Sequence, residues 1–304
     1  MRGWSCSIAA VISLLATSGC GASSRATPTA PRAAVAQEDA VSAADLARAI
    51  IDGRTGGLFE LRAFRFHPTS AEAIGELGNW GEAVKKLGFD PLMDVARVFV
   101  VAGHAQDSSA IVVIEPEVDD DAIAVALVKR GAKIGPDVPY PQARIPIRGH
   151  GDHVAALVQP RMLVIAPAHY ASELPRMRVR AKLPPPSGRA AAQFFAFDPA
   201  DSLGYNPRWP ETITSAHAEI EFTSRGGAVV RFFADSITDA QAQKDAKSLT
   251  EEAHRLLTVD LAIFELHLLD PPVFEAQGRR IFMQSGLLPT DVDWLLRFNG
   301  GLGT

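Results

Sequence analysis

The chain has 304 residues, of which 47% are hydrophobic and 21% are charged. This length is sufficient for two ordinary domains, and the composition is that of a globular protein. The formal net charge of −5 gives no basic footprint, so nucleic acid is not an expected partner. Both cysteines, Cys6 and Cys20, lie at the start of the chain, so the sequence excludes a disulfide or a cysteine-ligated metal in the rest of it.

The first residues have the pattern of a targeting signal. A single positive charge at Arg2 is followed by an apolar run from Ile8 to Ala16, which is too short to span a bilayer as a permanent helix. The run leads into Ala16-Thr17-Ser18-Gly19-Cys20, and small residues directly before a cysteine resemble the lipobox of bacterial lipoproteins. The resemblance implies that residues 1–19 are a signal peptide and that Cys20 carries the lipid as the mature N-terminus.

Two other interpretations of this segment stay open. One is an ordinary secretory signal cleaved after Ala34-Val35-Ala36, and the other is a coincidental cysteine in an uncleaved anchor. Residues 20–40 are rich in Ala, Ser, Thr and Pro, which predicts a disordered tether. The expected location is the cell envelope. By the resemblance, a host with two membranes would carry the protein on its outer membrane, facing the periplasm or the cell surface.

Residues 41–180 predict a first unit of strands and helices. Residues 98–101 and 110–114 are β-branched runs that predict a hairpin. Asp119-Asp120-Asp121 then opens a helix, where the helix dipole favours carboxylates. The alternation from Leu58 to Phe66 predicts an earlier strand. The other predicted elements are a helix starting at Ser42, a helix from Thr69 to Leu87, strands at 144–147, 153–158 and 162–165, and a short helix at 169–177.

Residues 190–304 predict a second unit, after a proline-rich linker at 181–189. Its elements follow the same order, and several identities recur at one offset, as in Asp121 and Asp239, which are 118 positions apart. The predicted elements are strands at 195–197, 218–222, 228–233, 264–269, 273–276 and 281–283, a long helix capped by Thr238, and a last helix capped by Thr290. The predicted fold class is therefore α+β: a tandem repeat of two related units, each an antiparallel sheet with helices packed on one face.

Three aromatic residues, Trp80, Tyr205 and Trp209, lie in or near the segments in which the two predicted units differ most. Aromatic side chains combine apolar area with a polar handle, so these three are candidate ligand-binding residues. The alternative is that they lie at the edges of the core.

The only compact group of metal-type ligands is His150-Gly151-Asp152-His153. Two imidazoles and a carboxylate can bind zinc, but the same residue types are ordinary in a hairpin turn, and we predict no metal site here. Asp119-Asp120-Asp121 lacks the ligand spacing of a calcium loop. No Gly-x-Ser-x-Gly elbow and no phosphate-binding loop is present, so we predict no catalytic residue and no cofactor.

These observations predict a non-enzymatic envelope protein, attached to the membrane by its N-terminal lipid, that binds a protein partner or an envelope component. An alternative is a carrier of an apolar ligand or lipid in a cavity between the sheet and the helices. A large unfilled pocket lined by Phe64, Phe66, Phe195 and Phe197 would favour this alternative. A less favoured alternative is a metal-dependent hydrolase that uses His150 and His153.

Overall fold

A computed structural model describes residues 54–67, 78–102, 110–135, 138–147, 151–159, 162–171, 174, 190–203, 208–260, 265–267 and 272–292. Cys20, the predicted tether at 20–40 and the predicted linker at 181–189 lie outside these ranges, as do the helices predicted at Ser42 and at most of 169–177.

The described residues are mainly β-structure. The strands are β1 (Thr55–Glu60), β2 (Val95–Ala102), β3 (Ala110–Pro116), β4 (Lys133–Gly135), β5 (Val138–Ile147), β6 (Gly151–Gln159), β7 (Met162–Pro167), β8 (Ala192–Phe197), β9 (Ile213–Phe222), β10 (Ala228–Ser236), β11 (Thr258–Asp260), β12 (Glu265–His267), β13 (Glu275–Gln277) and β14 (Arg280–Leu287). The helices are α1 (Leu61–Arg65), α2 (Gly78–Lys86), α3 (Asp120–Lys129), α4 (Pro199–Ser202) and α5 (Asp239–Leu257), with a 3-10 turn at Ala168–Tyr170.

Twelve of these strands form one sheet, in the order β13-β14-β10-β9-β8-β1-β2-β3-β7-β6-β5-β4. Its strand pairs are all antiparallel. Strands β11 and β12 pair separately. The amino-terminal part (β1 to β7) and the carboxy-terminal part (β8 to β14) meet at the central pair β1–β8. From this pair the strands run outward in corresponding orders, β1-β2-β3-β7-β6 and β8-β9-β10-β14-β13.

The predicted α+β fold of two units, each with its own sheet, is therefore wrong. The protein is a single large antiparallel sheet with few helices. The physical reason lies at the edges of β1 and β8, whose outward-facing backbone groups bond to each other from Thr55/Ala196 to Phe59/Ala192. Pairing between strand edges uses only backbone groups, so the pattern of side chains in the sequence does not predict that β1 and β8 pair. The boundaries predicted at 180 and 190 stay predictions.

The predicted strand at residues 58–66 is also corrected. Strand β1 ends at Glu60, and residues 61–65 form α1, so Phe64 and Phe66 do not lie on a strand. Tertiary contacts stabilise this short helix. The Arg65 guanidinium donates to the carbonyls of Leu92, Met93 and Val95, and Arg62 pairs with Glu117 at 2.5 Å. These contacts involve residues distant in sequence and therefore override the local alternation.

Both sides of the amino-terminal part are buried. Side chains from α1, α2 and α3 pack on one side of it, around Val98 and Val112, while Phe99 and Val113 belong to a second buried cluster on the other side. The carboxy-terminal part differs, because α5 packs on one side only and the alternate side chains of its strands are half-exposed. This difference positions the candidate site.

Candidate functional site

The candidate site is the side of β9, β10 and β14 that faces away from α5. Along β10, buried residues such as Val230 and Phe232 pack against α5, and the residues between them point to the opposite side. We call this opposite side the open face. It comprises Ser215, His217, Glu219 and Glu221 of β9, Val229, Arg231, Phe233 and Asp235 of β10, and Arg280, Phe282, Gln284 and Gly286 of β14.

An aromatic row crosses the open face. His217 lies directly opposite Phe233, which in turn lies opposite Phe282 on the next strand. The ring centroids are 6.2 Å apart for His217 and Phe233, with planes inclined by only 22°, and 5.6 Å apart for Phe233 and Phe282. Phe195 of β8 extends the row toward the centre of the sheet, where it is buried. The aromatic row is thus buried at one end and half-exposed along the rest.

A polar row runs beside the aromatic row. Gln193, Glu219, Arg231 and Gln284 lie opposite one another on successive strands. The Arg231 side chain, 34% exposed, pairs with Glu221 at 3.1 Å. Gln193 is only 8% exposed, and its Nε2 has no hydrogen-bond partner among the described residues. A buried amide donor without a partner costs free energy, and this one lies at the inner end of the polar row.

A second polar row borders the aromatic row on its other side. Ser215 lies opposite Asp235, and Asp235 lies opposite Arg280. The Ser215 hydroxyl donates to Asp235 at 3.3 Å, and the Arg280 guanidinium is 3.5 Å from the same carboxylate. The aromatic side chains are therefore flanked on both sides by groups that donate and accept hydrogen bonds.

His217 is the titratable member of the aromatic row. Burial lowers the pKa of its imidazole below the ordinary value, while the Glu219 carboxylate, 3.9 Å from Nε2, opposes the shift. The side chain is nevertheless 39% exposed, so it stays within reach of a ligand. The lowered pKa favours the neutral imidazole, which presents one donor and one acceptor nitrogen.

A charged row continues onto the central strands, on the same side of the sheet. Glu60, Arg97 and Glu115 lie opposite one another on β1, β2 and β3, and Arg97 pairs with Glu115 at 2.6 Å. Glu60 Oε1 is buried and has no hydrogen-bond partner among the described residues. Burial raises the pKa of this carboxyl, against the opposing effect of the Arg97 guanidinium. Glu60 is two residues from Leu58, which lies opposite Gln193, so the two unpaired groups are diagonal neighbours.

Of the three predicted ligand-binding residues, Trp209 is the one whose side chain the structure describes. It is 7% exposed and packs on the α5 side of the sheet, with its ring 6.0 Å from that of Phe232. It therefore belongs to the core and lies on the side opposite the open face. Tyr205 and the side chain of Trp80 lie outside the described residues.

The other sequence candidates have structural explanations where they are described. His150 lies outside the described residues, and His153 is buried on β6 with its Nδ1 3.2 Å from the Gly151 carbonyl. Burial lowers the pKa of His153. Asp119 stands at the start of α3, with Asp120 and Asp121 in its first turn. Within the described ranges, no three His, Cys, Asp or Glu side chains are placed to hold a metal ion.

Sequence reasoning did not identify the open face as a site. One signal was present, because Glu219 and Glu221 alternate with Ala218 and Ile220 along β9 and so predict one wet side. The polar row that crosses β8, β9, β10 and β14 could not be inferred from the sequence, because it depends on the register between segments far apart in the chain.

Comparison of the chain with family models, with curated proteins and with solved structures found no match. None of the helices in the described ranges is long and apolar enough to cross a membrane.

Proposed function

We propose that the chain is a non-enzymatic, lipid-anchored protein of the cell envelope that binds a protein partner or an envelope component through the open face. The observation that carries this proposal is the half-exposed aromatic row of His217, Phe233 and Phe282 between two polar rows. Aromatic side chains surrounded by a polar rim are typical of binding surfaces, because they supply contact area while the rim supplies hydrogen bonds.

The contrast between the two parts of the sheet supports a binding role. On the same side of the sheet, Phe99, Ile111 and Val113 of the amino-terminal part are fully buried. The carboxy-terminal strands place Glu, Arg and His at the corresponding alternate positions, and these side chains keep contact with water. The charged side chains of the open face pair with one another, as Arg231 does with Glu221, and the aromatic rings beside them remain available to a partner.

The proposed anchor fits this use of the face. Lipid on Cys20 would hold the protein at a membrane, and the predicted tether of about twenty residues spans on the order of 25 Å as a flexible coil. The folded body would then stand off the membrane with its open face accessible to other envelope components.

The carrier alternative receives no support from the described residues. Phe64 lies on α1 and its ring contacts Phe222, while Phe195 packs against Phe99 on the other side of the sheet. Phe66 is 91% exposed. These side chains therefore do not line a common cavity.

A capture experiment from the native membrane tests the proposal. The full chain is compared with Cys20→Ala, which should lose membrane association, and with Phe233→Ala, which should stay in the membrane but lose its bound molecule. Phe66→Ala is the matched control, because it also removes one exposed phenyl ring but lies away from the open face. Unchanged association of Cys20→Ala would refute the anchor. Equal capture by Phe233→Ala and Phe66→Ala would refute the role of the open face.

A further inference from the structure

We infer that the open face binds a glycan, a chain of sugar rings carrying hydroxyl groups, as its envelope component. This inference rests on the proposed function and names the chemical class of the ligand. Three features support it: the size of the aromatic row, the hydrogen-bonding groups beside it, and two buried polar atoms that have no partner within the described ranges.

The aromatic row has the shape of a narrow strip. It crosses three strands, and with centroid separations of 6.2 and 5.6 Å it is about as long as a disaccharide and one ring wide. A sugar ring has apolar C–H faces that an aromatic ring can cover, and a polar rim at its edge. The aromatic row and the polar rows beside it match this division. The aromatic rings would lie under the C–H faces of the sugar, and the polar rows would lie beside its hydroxyl groups.

The polar rows supply both kinds of hydrogen-bonding group. Glu219 and Asp235 accept, Arg231 and Arg280 donate, and Gln284 does both. A sugar hydroxyl is itself a donor and an acceptor, so it can bond to any member of either row. The open face carries the carboxylates of Glu219, Glu221 and Asp235 and the guanidinium groups of Arg231 and Arg280, so its formal charge is close to zero. This suits a neutral ligand better than a strongly charged one.

The two unpaired atoms point to a ligand of this kind. Gln193 Nε2 is a buried donor at the inner end of the polar row, and Glu60 Oε1 is a buried oxygen diagonal to it across β1 and β8. A hydroxyl group can accept from an amide N–H and can donate to a carboxylate, so a sugar carries the group that either atom would bind. The residues between the two positions, Leu58 and Ala191, offer no polar side chain that could do so.

A protein partner fits the open face less well. The buried centre of a protein interface is depleted of charged residues. Here the exposed apolar area is a single row of rings, with Arg231 and Glu219 on one side and Asp235 and Arg280 on the other. This composition suits a slender amphipathic ligand.

The test measures binding of the full chain to an array of bacterial polysaccharides, followed by titration with the soluble oligosaccharide of the strongest binder. Gln193→Leu should reduce affinity about tenfold or more, because it removes the unpaired donor while keeping the volume of the side chain. Since that donor bonds to no group in the described part of the chain, the substitution should leave the thermal unfolding temperature unchanged or higher.

Ser285→Ala is the matched control. Ser285 Oγ is also buried and has no hydrogen-bond partner among the residues that the structure describes, but it lies on the α5 side of β14. Its substitution should leave glycan affinity unchanged. The inference is overturned if no polysaccharide binds, or if Gln193→Leu and Ser285→Ala bind equally well. If Phe233→Ala loses a protein from the native membrane while no polysaccharide binds, the glycan inference fails and the proposed function stands. If the open-face variants change neither capture nor glycan binding, both fail.

Discussion

Asp245 is expected to be the most important polar residue for the stability of the carboxy-terminal part. This α5 side chain is 1% exposed, and its carboxylate accepts hydrogen bonds from three side chains. Thr212 Oγ1 lies 2.8 and 2.9 Å from its two oxygens, Ser236 Oγ lies at 2.6 Å, and Gln241 Nε2 lies at 2.8 Å. These bonds connect α5 to the chain before β9 and to the end of β10, so they hold the helix on the sheet.

The cost of Asp245→Ala follows from these contacts. A hydrogen bond to a charged group contributes about 1.5–3 kcal/mol, and a buried partner left unpaired costs about 1–3 kcal/mol. Ser236 is fully buried and would lose its acceptor, whereas Thr212 and Gln241 are half-buried and can turn to water. Removal of the buried charge recovers part of the loss, which leaves a net destabilisation of about 3–4 kcal/mol. For a folded body of this size that corresponds to a fall in Tm of roughly 10 °C.

Urea unfolding followed by tryptophan fluorescence measures this cost, since Trp209 packs in the same cluster as α5. Asp245→Asn should fall between the native protein and Asp245→Ala, because the amide keeps one acceptor oxygen. Asp239→Ala, an exposed substitution in the first turn of the same helix, should cost below about 1 kcal/mol. If Asp245→Ala is no more destabilising than Asp239→Ala, the buried network does not stabilise the fold as argued.

Three further predictions concern the strands. Gly56→Ala should destabilise the fold by roughly 2–3 kcal/mol in thermal or urea unfolding, because a Cβ would lie 2.5 Å from a backbone oxygen and 2.6 Å from the Phe195 ring. Gly286→Ala is the control. A Cβ there meets nothing within 4 Å, so this substitution should be close to neutral. The raised folded-state pKa of Glu60 means that its stabilising contribution is present at low pH and is lost as the pH rises through that pKa. Glu60→Gln should therefore be more stable than the native protein in urea at pH 7, with the difference shrinking toward pH 4; a less stable variant at pH 7 would contradict this. The lowered pKa of His217 means that its contribution to the stability of the fold is present above the ordinary histidine pKa and is lost as the pH falls through the folded-state pKa. A titration by nuclear magnetic resonance should find that folded-state pKa below 6.5. It should be lower still in Glu219→Gln, because the Glu219 carboxylate raises it.

Local predictions that depended on side-chain periodicity were largely confirmed. The runs at 98–101, 110–114 and 228–233 lie within β2, β3 and β10. The helix starts also hold, since α3 begins after Asp119 and the Thr238 hydroxyl accepts from the Gln241 amide at the start of α5. These features are local, because a strand or a helix start is determined by residues within a few positions of each other.

The prediction failed where distant contacts compete with local pattern. Residues 61–65 follow a strand-like alternation, yet Arg62 and Arg65 are held by Glu117 and by backbone carbonyls of residues 92–95, and the segment is helical. The burial of Trp209 against Phe232 likewise depends on how distant segments fold onto the sheet, and a role of Trp209 in ligand binding stays a prediction. Neither contact has a signature in the neighbouring sequence.

The sequence by itself determined strands such as β2, β3 and β10, the starts of α3 and α5, and the wet side of β9. Each of these depends on residues within a few positions of one another. Only the tertiary structure decided that β1 and β8 join two parts into one sheet, and that Gln193, Glu219, Arg231 and Gln284 lie in a single row. Register between strands is set by backbone hydrogen bonds, which are the same for every residue type. The open face arises from that register, and it was therefore visible only once the strands were assembled.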